Sequence, residues 1–363
     1  MKQIKIYLQY PWKFPDSPYY KYLLQEHPKE IKYLNAEKQK GVITNKRFFW
    51  LSNFLKRNIR RTFNLFKFSI PNAHNSKNGD YDLIHCAHCL SKNKNKSWIC
   101  DIESEWQFYI GNKNRFVKKR VEKILKSEDC KKILPWTQNT ANEIIKEYPS
   151  IKEKIEIVYP AMPVVKDLKK PKNKRIKIIF VARYFDIKCG LIALETLEKL
   201  REKYDIEGIV ISNVPKNLKK QYSKLKIYNL MPHKEVCKLL ESSDLFLYPS
   251  AIDTFGFSLL EAMAYGLPTI TINTGLTKSR KEIIENNKTG LIFDVNEKLS
   301  FDKIGNNEKR VIEKLVENSG RLIVDEKLRN KMSKECIKII KEGKFSIKER
   351  NKKMNKIYEG VLR

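Results

Sequence analysis

Apolar and polar positions along the chain follow two alternating rhythms. Residues 2–9 (KQIKIYLQ) alternate with a period of two, the pattern of a half-buried first strand. A loop over 10–18 is rich in Pro and aromatics and has no glycine pair; a helix from Tyr19 to Glu26 follows it. Further strands are expected at 80–85 (DYDLIH), 97–103 (SWICDIE), 130–136 (CKKILPW) and 154–160 (KIEIVYP), with a helix over 114–127. In TQNTANEIIKEY, Thr140 stands three residues before Glu143, the spacing of a capping box at a helix start. The stretch from Met162 to Lys174 carries Pro163, Pro171 and several lysines without apolar periodicity, and reads as a linker.

Beyond it the alternation resumes. Strands are expected at 175–182, 206–212, 226–231, 244–250 and 268–273, and helices at 190–204, 234–243 and 258–266. The tail from about 308 to 362 reads as helices with a break between Gly343 and Ser346. Strands that alternate with helices predict an α/β protein whose parallel sheets have helices on both faces. Ligands of such sheets bind at the carboxyl ends of the strands.

Composition narrows the setting. At roughly 150 residues per domain, 363 residues make about two domains. Lys and Arg number 73 against 42 Asp and Glu, a formal net charge of +31. Such an excess favours anionic partners, but lysine is spread over nearly the whole chain, so local clustering has to decide. The seven cysteines are scattered and odd in number, unlike a secreted disulfide framework, which points to a reducing cytosol. The start MKQIKIYLQYPW lacks the apolar core and cleavage site of a signal peptide. No run approaches the ~18 apolar residues of a membrane span. The expectation is a cytoplasmic protein, soluble or peripheral on the inner face of a membrane.

The densest chemistry lies between Tyr248 and Pro268. A buried strand ends at Pro249, a loop with Asp253 and Gly256 follows, and a helix begins near Phe257 or Ser258 with Glu261 on it. Exposed amides at a helix start attract anions. Thr254, Phe255, Gly256, Phe257 and Ser258 are therefore candidate substrate-binding residues, with Gly256 allowing close approach of a phosphate. Glu261 can accept two hydroxyl hydrogen bonds, as a ribose diol requires. The plainer reading is a generic strand–loop–helix unit.

The segment resembles the signature of family 4 glycosyltransferases of the GT-B fold: Glu-x7-Glu, then Ala-Met-Ala, Gly and Pro. Glu261-Ala-Met-Ala-Tyr-Gly-Leu-Pro268 matches it, while Asp253 stands where the first Glu is usual. A second match is Phe180-Val-Ala-Arg-Tyr-Phe-Asp-Ile-Lys-Cys-Gly190, similar to the family's Phe-Val-Gly-Arg…Lys-Gly turn with Ala182 in place of Gly. Arg183 and Lys188 can there neutralise a diphosphate leaving group. A weaker match runs from Asn273-Thr-Gly-Leu through Glu282 to Thr289-Gly-Leu-Ile-Phe-Asp294, in which Gly275 alone remains of a glycine pair.

The resemblance implies two Rossmann-like domains around a cleft. The acceptor domain would occupy 1–165 and the nucleotide-sugar donor domain 166–345, with a terminal helix at 346–363 that packs back on the first domain. It implies transfer of a hexosyl unit from a nucleoside-diphosphate sugar to a glycan or lipid-linked acceptor, with retention. Arg183 and Lys188 would hold the diphosphate, Glu261 the ribose and Asp253 the sugar. Two side-chain cations at the diphosphate make a metal unnecessary, and no cofactor is expected beyond the donor.

On the acceptor side, Glu103 falls where the family carries a His at a strand end, and His88 follows the preceding strand. Both are candidate substrate-binding residues. His85-Cys-Ala-His88-Cys89 contains ligand-type side chains, but no second pair stands at finger spacing. Two other classes stay open: a same-fold hydrolase or epimerase of nucleotide sugars, and a non-enzymatic basic protein that binds membrane or nucleic acid.

Residues 46–68 (KRFFWLSNFLKRNIRRTFNLFKF) stand out from the lysine background. At about 100° per residue, Phe48, Leu51, Leu55, Ile59, Thr62 and Phe66 form one stripe, and Lys56, Arg57, Arg60 and Arg61 gather opposite. A helix of this kind either packs its stripe on the first domain or lies on an anionic membrane. Aromatic interleaving also permits nucleic-acid contact, but no fold motif supports it. If the membrane reading holds, the protein floats with anionic liposomes, and replacement of the four cations by Gln abolishes flotation; equal binding by the variant would sink the idea.

Overall fold

The computed structural model describes residues 3–10, 18–36, 54, 58, 69–168, 170–171, 173–277 and 279–363. The basic segment 46–68 lies outside the described residues except for Phe54 and Asn58. The chain divides into two compact units, Met1–Ala161 with Ile347–Arg363, and Met162–Ser346.

The first unit contains β1 (Ile4–Gln9), α1 (Pro18–Gln25), β2 (Ile31–Leu34), the short strands β3 (Ser69–Pro71) and β4 (Ala73–His74), β5 (Leu83–Ala87), β6 (Leu90–Ser91), β7 (Trp98–Ile102), β8 (Tyr109–Gly111), α2 (Arg115–Lys126), β9 (Cys130–Pro135) and α3 (Gln138–Glu147). The main sheet has five parallel strands in the order β2-β1-β5-β7-β9, one of the doubly wound orders. Both of its faces are covered, which is why β5 and β7 are buried at every position. Alternation sends Ile84, Cys86, Trp98 and Cys100 to a core with α2 and α3. Leu83 and Ile99 go to the other face, where Met354, Ile357 and Tyr358 of the C-terminal helix Ile347–Leu362 meet them.

That second face also receives two polar side chains, His85 and Asp101, both fully buried. His85 Nε2 lies 3.2 Å from Asp101 Oδ2, and its Nδ1 is 2.8 Å from the Tyr358 hydroxyl. The Tyr20 hydroxyl donates to Asp101 Oδ1 at 2.7 Å, and the His88 backbone N–H donates to the same oxygen at 3.2 Å. Burial alone would raise the Asp101 pKa, but the imidazoles and the Tyr20 hydroxyl outweigh it and hold the carboxyl below its usual range. Burial pulls the His88 imidazole down, against the attraction of Asp101.

The second unit contains β10 (Ile176–Val181), α4 (Gly190–Lys203), β11 (Ile206–Ile211), α5 (Lys216–Gln221), β12 (Lys226–Tyr228), α6 (His233–Glu241), β13 (Leu245–Tyr248), α7 (Phe257–Ala264), β14 (Thr269–Asn273), α8 (Arg280–Ile283), β15 (Gly290–Asp294), α9 (Asn306–Val324) and α10 (Glu326–Lys341). Its six strands, all parallel, run β12-β11-β10-β13-β14-β15, the other doubly wound order. The expected α/β class with two Rossmann-like parallel sheets is therefore present.

Three local expectations change. Residues 154–160 form only a bridge at Ile155: Glu156 and Val158 donate to the Ile133 and Pro135 carbonyls, but Pro135 has no N–H to return a bond. Thr137, not Thr140, caps α3, accepting from the Thr140 N–H, while the Thr140 hydroxyl donates to Glu103 O at 2.9 Å. The tail holds one more break than expected, at Asp325, whose side chain accepts from the Leu328 N–H and starts α10.

Asp101 and His88 both have folded-state pKa values below their unfolded ones, so the unfolded chain takes up protons first. Their contribution is whole above about pH 6.5 and falls on acidification, first through His88 and then, below about pH 3.9, through Asp101. Asp101→Asn should lower the unfolding free energy at pH 7 by about 3 kcal/mol and flatten the acid phase below pH 4. Urea unfolding across pH checks this; an unchanged midpoint at pH 7 counts against it.

Candidate functional site

The order of the second sheet puts β10 and β13 side by side at its topological switch point, where the chain leaves neighbouring strands in opposite directions and sheets of this kind bind their ligands. Two of the sequence matches fall on the loops that leave these strands.

After β10 the chain makes a tight turn into α4. The Cys189 N–H donates to Asp186 O at 2.9 Å and the Gly190 N–H to Phe185 O at 2.8 Å, with Cys189 in the left-handed region at φ 54°. A Cβ on Gly190 would lie 2.2 Å from the Phe185 ring, so the close approach needs glycine. The turn aims Lys188 toward the next loop, where its ammonium donates to Ile252 O at 3.0 Å and stands 3.2 Å from Asp253 Oδ1. Arg183 is exposed at the end of β10.

The loop after β13 is organised around Asp253. The buried Tyr248 hydroxyl donates to Asp253 Oδ2 at 2.8 Å. Burial, together with the Asp253 charge, pushes the Tyr248 phenol well above its ordinary range, so it remains a neutral donor. Gly256 adopts φ 104° at the start of α7, a conformation that disfavours any side chain. Phe255 is buried with its ring 5.0 Å from that of Phe257; Thr254 is exposed and Ser258 half-buried.

A residue that the sequence reading missed completes the cluster. Arg280, 1% exposed, donates from Nη1 to Ser250 O at 2.7 Å, to Thr271 Oγ1 at 3.0 Å and to Ile272 O at 3.1 Å. Its Nη2 donates to Asp253 Oδ2 at 3.4 Å, and the guanidinium lies 5.0 Å from the Tyr248 ring centroid. Burial pulls its pKa down, countered first by Asp253; a guanidinium stays cationic nonetheless. Lys188, Asp253, Tyr248 and Arg280 thus form one network of two cations, a carboxylate and a phenol. The third match meets it here: the Asp253 N–H donates to Leu276 O at 3.3 Å.

Glu261, on α7, pairs with His233 Nε2 from α6. Hydrogen bonds with Cys237 and Glu261 outweigh burial and push the His233 imidazole up to about 10. In the first unit, His88 is buried between the rings of Tyr20 and Trp136, with centroids at 5.4 and 4.9 Å. Glu103 is half-buried just past β7, its N–H donating to Gln107 Oε1 at 2.9 Å. His85, Cys86, His88 and Cys89 do not converge as a metal-ligand group among the described residues.

Two doubly wound parallel sheets place the chain in the GT-B fold class. Residues 165–339 match the family described as glycosyl transferases group 1. A probable sucrose-phosphate synthase from Thermosipho melanesiensis is 25% identical over 235 residues, 58% of this chain and 53% of that protein. The chain spans about half the length of the curated relatives it matches. A glycosyltransferase structure from Rickettsia africae ESF-5 aligns with a TM-score of 0.65 at 15% identity, covering 100% of this chain and 99% of that one. Anabaena HepE, solved in complex with UDP, aligns with a TM-score of 0.61 at 11% identity, covering 99% of this chain and 100% of its own. These structural likenesses establish the shared fold.

Arg280→Met keeps most of the volume but takes the guanidinium donors from the Ser250 and Ile272 carbonyls and one of three partners from the Asp253 carboxylate. It should lower the unfolding free energy by about 3 kcal/mol, read from urea unfolding; a wild-type midpoint would show that the network carries no stability.

Proposed function

We propose that the protein is a glycosyltransferase that moves a hexosyl unit from a nucleoside-diphosphate sugar to a glycan or lipid-linked acceptor, with retention of configuration. The observation that carries this reading is the convergence of Lys188, Asp253 and the Gly256 start of α7 at the switch point of the second sheet. A diphosphate needs cations and free amides, and a sugar needs a fixed carboxylate.

In this reading Arg183 and Lys188 take the diphosphate, Asp253 the hexose hydroxyls and Glu261 the ribose diol. The amides from Thr254 to Ser258 add donors to the phosphate. Asp253 is already held by Tyr248 and Arg280, so little reorganisation opposes its use. The main catalytic effect is stabilisation of charge on the departing nucleoside diphosphate. Side-chain cations supply it, so transfer should persist in EDTA. The base is open; HepE's complex with UDP makes uridine the first to test.

On the acceptor side, Glu103 is the candidate for direct contact, and the burial of His88 suits a positioning role. A lipid-linked acceptor would accord with the basic segment 46–68. The rival hydrolase or epimerase reading differs in needing no acceptor.

Labelled UDP- and GDP-sugars, incubated with and without lipid or glycan acceptor, separate the readings: acceptor-dependent transfer supports the proposal, and free sugar or an epimer alone overturns it. Lys188→Ala should lower kcat by about 100-fold, and Glu261→Gln should weaken nucleotide affinity about tenfold. Wild-type activity in both variants would refute the site.

A further inference from the structure

Three ligand-type side chains meet on the second unit. His233 opens α6 and Cys237 follows four residues later, so both project from one face of the helix. Pairs at this spacing on a helix can grip a single zinc ion. Glu261 reaches them from α7. One potential ligand atom from each of the three lies within 4.8 Å of the other two. Cys237 Sγ is 3.7 Å from His233 Nδ1 and 3.9 Å from Nε2, while Glu261 Oε1 touches His233 Nε2. Ligands around a tetrahedral zinc sit roughly 3.3–3.6 Å apart, given bonds of about 2.0 Å to N and O and about 2.3 Å to S. Small side-chain rotations would therefore suffice.

The surroundings fit as well. Cys237 is the one cysteine that is not buried. His233 is 56% exposed at its side chain, so an ion can arrive from solvent and keep a water. Among the described residues no other group of His, Cys, Asp or Glu converges in this way.

We propose that His233, Cys237 and Glu261 form a three-ligand site for a divalent transition metal of the zinc type, with water as the fourth ligand. One sulfur, one imidazole and one carboxylate suit zinc and disfavour magnesium and calcium, which prefer oxygen alone. Binding releases the thiol proton of Cys237 and the proton held between His233 and Glu261 to solvent. A second consequence rests on the donor reading above: because Glu261 is there the ribose ligand, metal and nucleotide compete for one carboxylate. The metal site itself is independent of that reading.

Metal-free protein titrated with Co²⁺ should bind one ion per chain. It should show a sulfur-to-cobalt charge-transfer band and the intense visible bands of four-coordinate cobalt, both lost on addition of Zn²⁺ and retained in excess Mg²⁺. Cys237→Ser should lose the charge-transfer band, and His233→Ala should weaken affinity at least about tenfold, with folding of both checked by circular dichroism. Absence of bound cobalt, or a charge-transfer band that survives in Cys237→Ser, overturns the site. UDP affinity measured with and without bound zinc tests the competition: weaker UDP binding supports it and equal binding overturns it. Failure of metal-free protein to bind either UDP or GDP overturns the donor reading and leaves the cobalt result standing.

Discussion

The second unit depends on a single buried cation. Removing a guanidinium from water is costly, and Arg280 is 1% exposed. It is tolerated because its hydrogen bonds go to fixed acceptors: the Ser250 and Ile272 carbonyls, the Thr271 hydroxyl and the Asp253 carboxylate. Those partners belong to the ends of β13 and β14 and to the loop between β13 and α7. One side chain therefore ties two strand ends together and sets the position of the carboxylate beyond them. Tyr248 and Lys188 reach the same carboxylate from below and from the neighbouring loop.

Much of this was legible in the residues, for physical reasons that differ from place to place. Parallel strands covered on both faces need apolar runs, so β10, β11 and β13 stood out. The Gly256 and Gly190 positions were legible because backbone conformation and close approach leave few alternatives. Arg280 was not, because residue type does not encode burial: in KSRKEI it reads as one more cation in a chain with 73 of them. His233 was hidden likewise, since its partner Glu261 lies 28 residues away. The strand expected at 154–160 failed on a neighbour's chemistry: a proline on the adjoining strand removes the return hydrogen bond. Thr140 has the sequence spacing of a cap, yet Thr137 takes the role, while the Thr140 hydroxyl serves the Glu103 carbonyl.

The two sheets share an architecture and use it differently. In the second, the polar groups gather beyond the carboxyl ends of the strands, partly open to solvent, where a ligand can meet them. In the first, His85 and Asp101 lie within the strands themselves, sealed beneath Tyr20 and Tyr358. The same pairing of imidazole and carboxylate that would serve chemistry at a strand end serves here to fix the packing of helices on the sheet. Position along the strand, rather than residue type, separates the two uses.

The C-terminal helix gives the first unit a dependence on time as well as space. Met354, Ile357 and Tyr358 fill the same core as Ile6, Ile31 and Leu83, although almost the entire chain lies between them. A ribosome delivers the five strands of the first sheet early and the helix that covers one face last. Until then that face, with its buried His85–Asp101 pair, is covered on the Tyr20 side alone. The second unit, continuous in sequence from Met162 to Ser346, is complete while the first still waits. Domains generally fold as units as they emerge, so in this chain the order of completion is the reverse of the order of synthesis, and the early-made sheet is the one that most needs protection from aggregation.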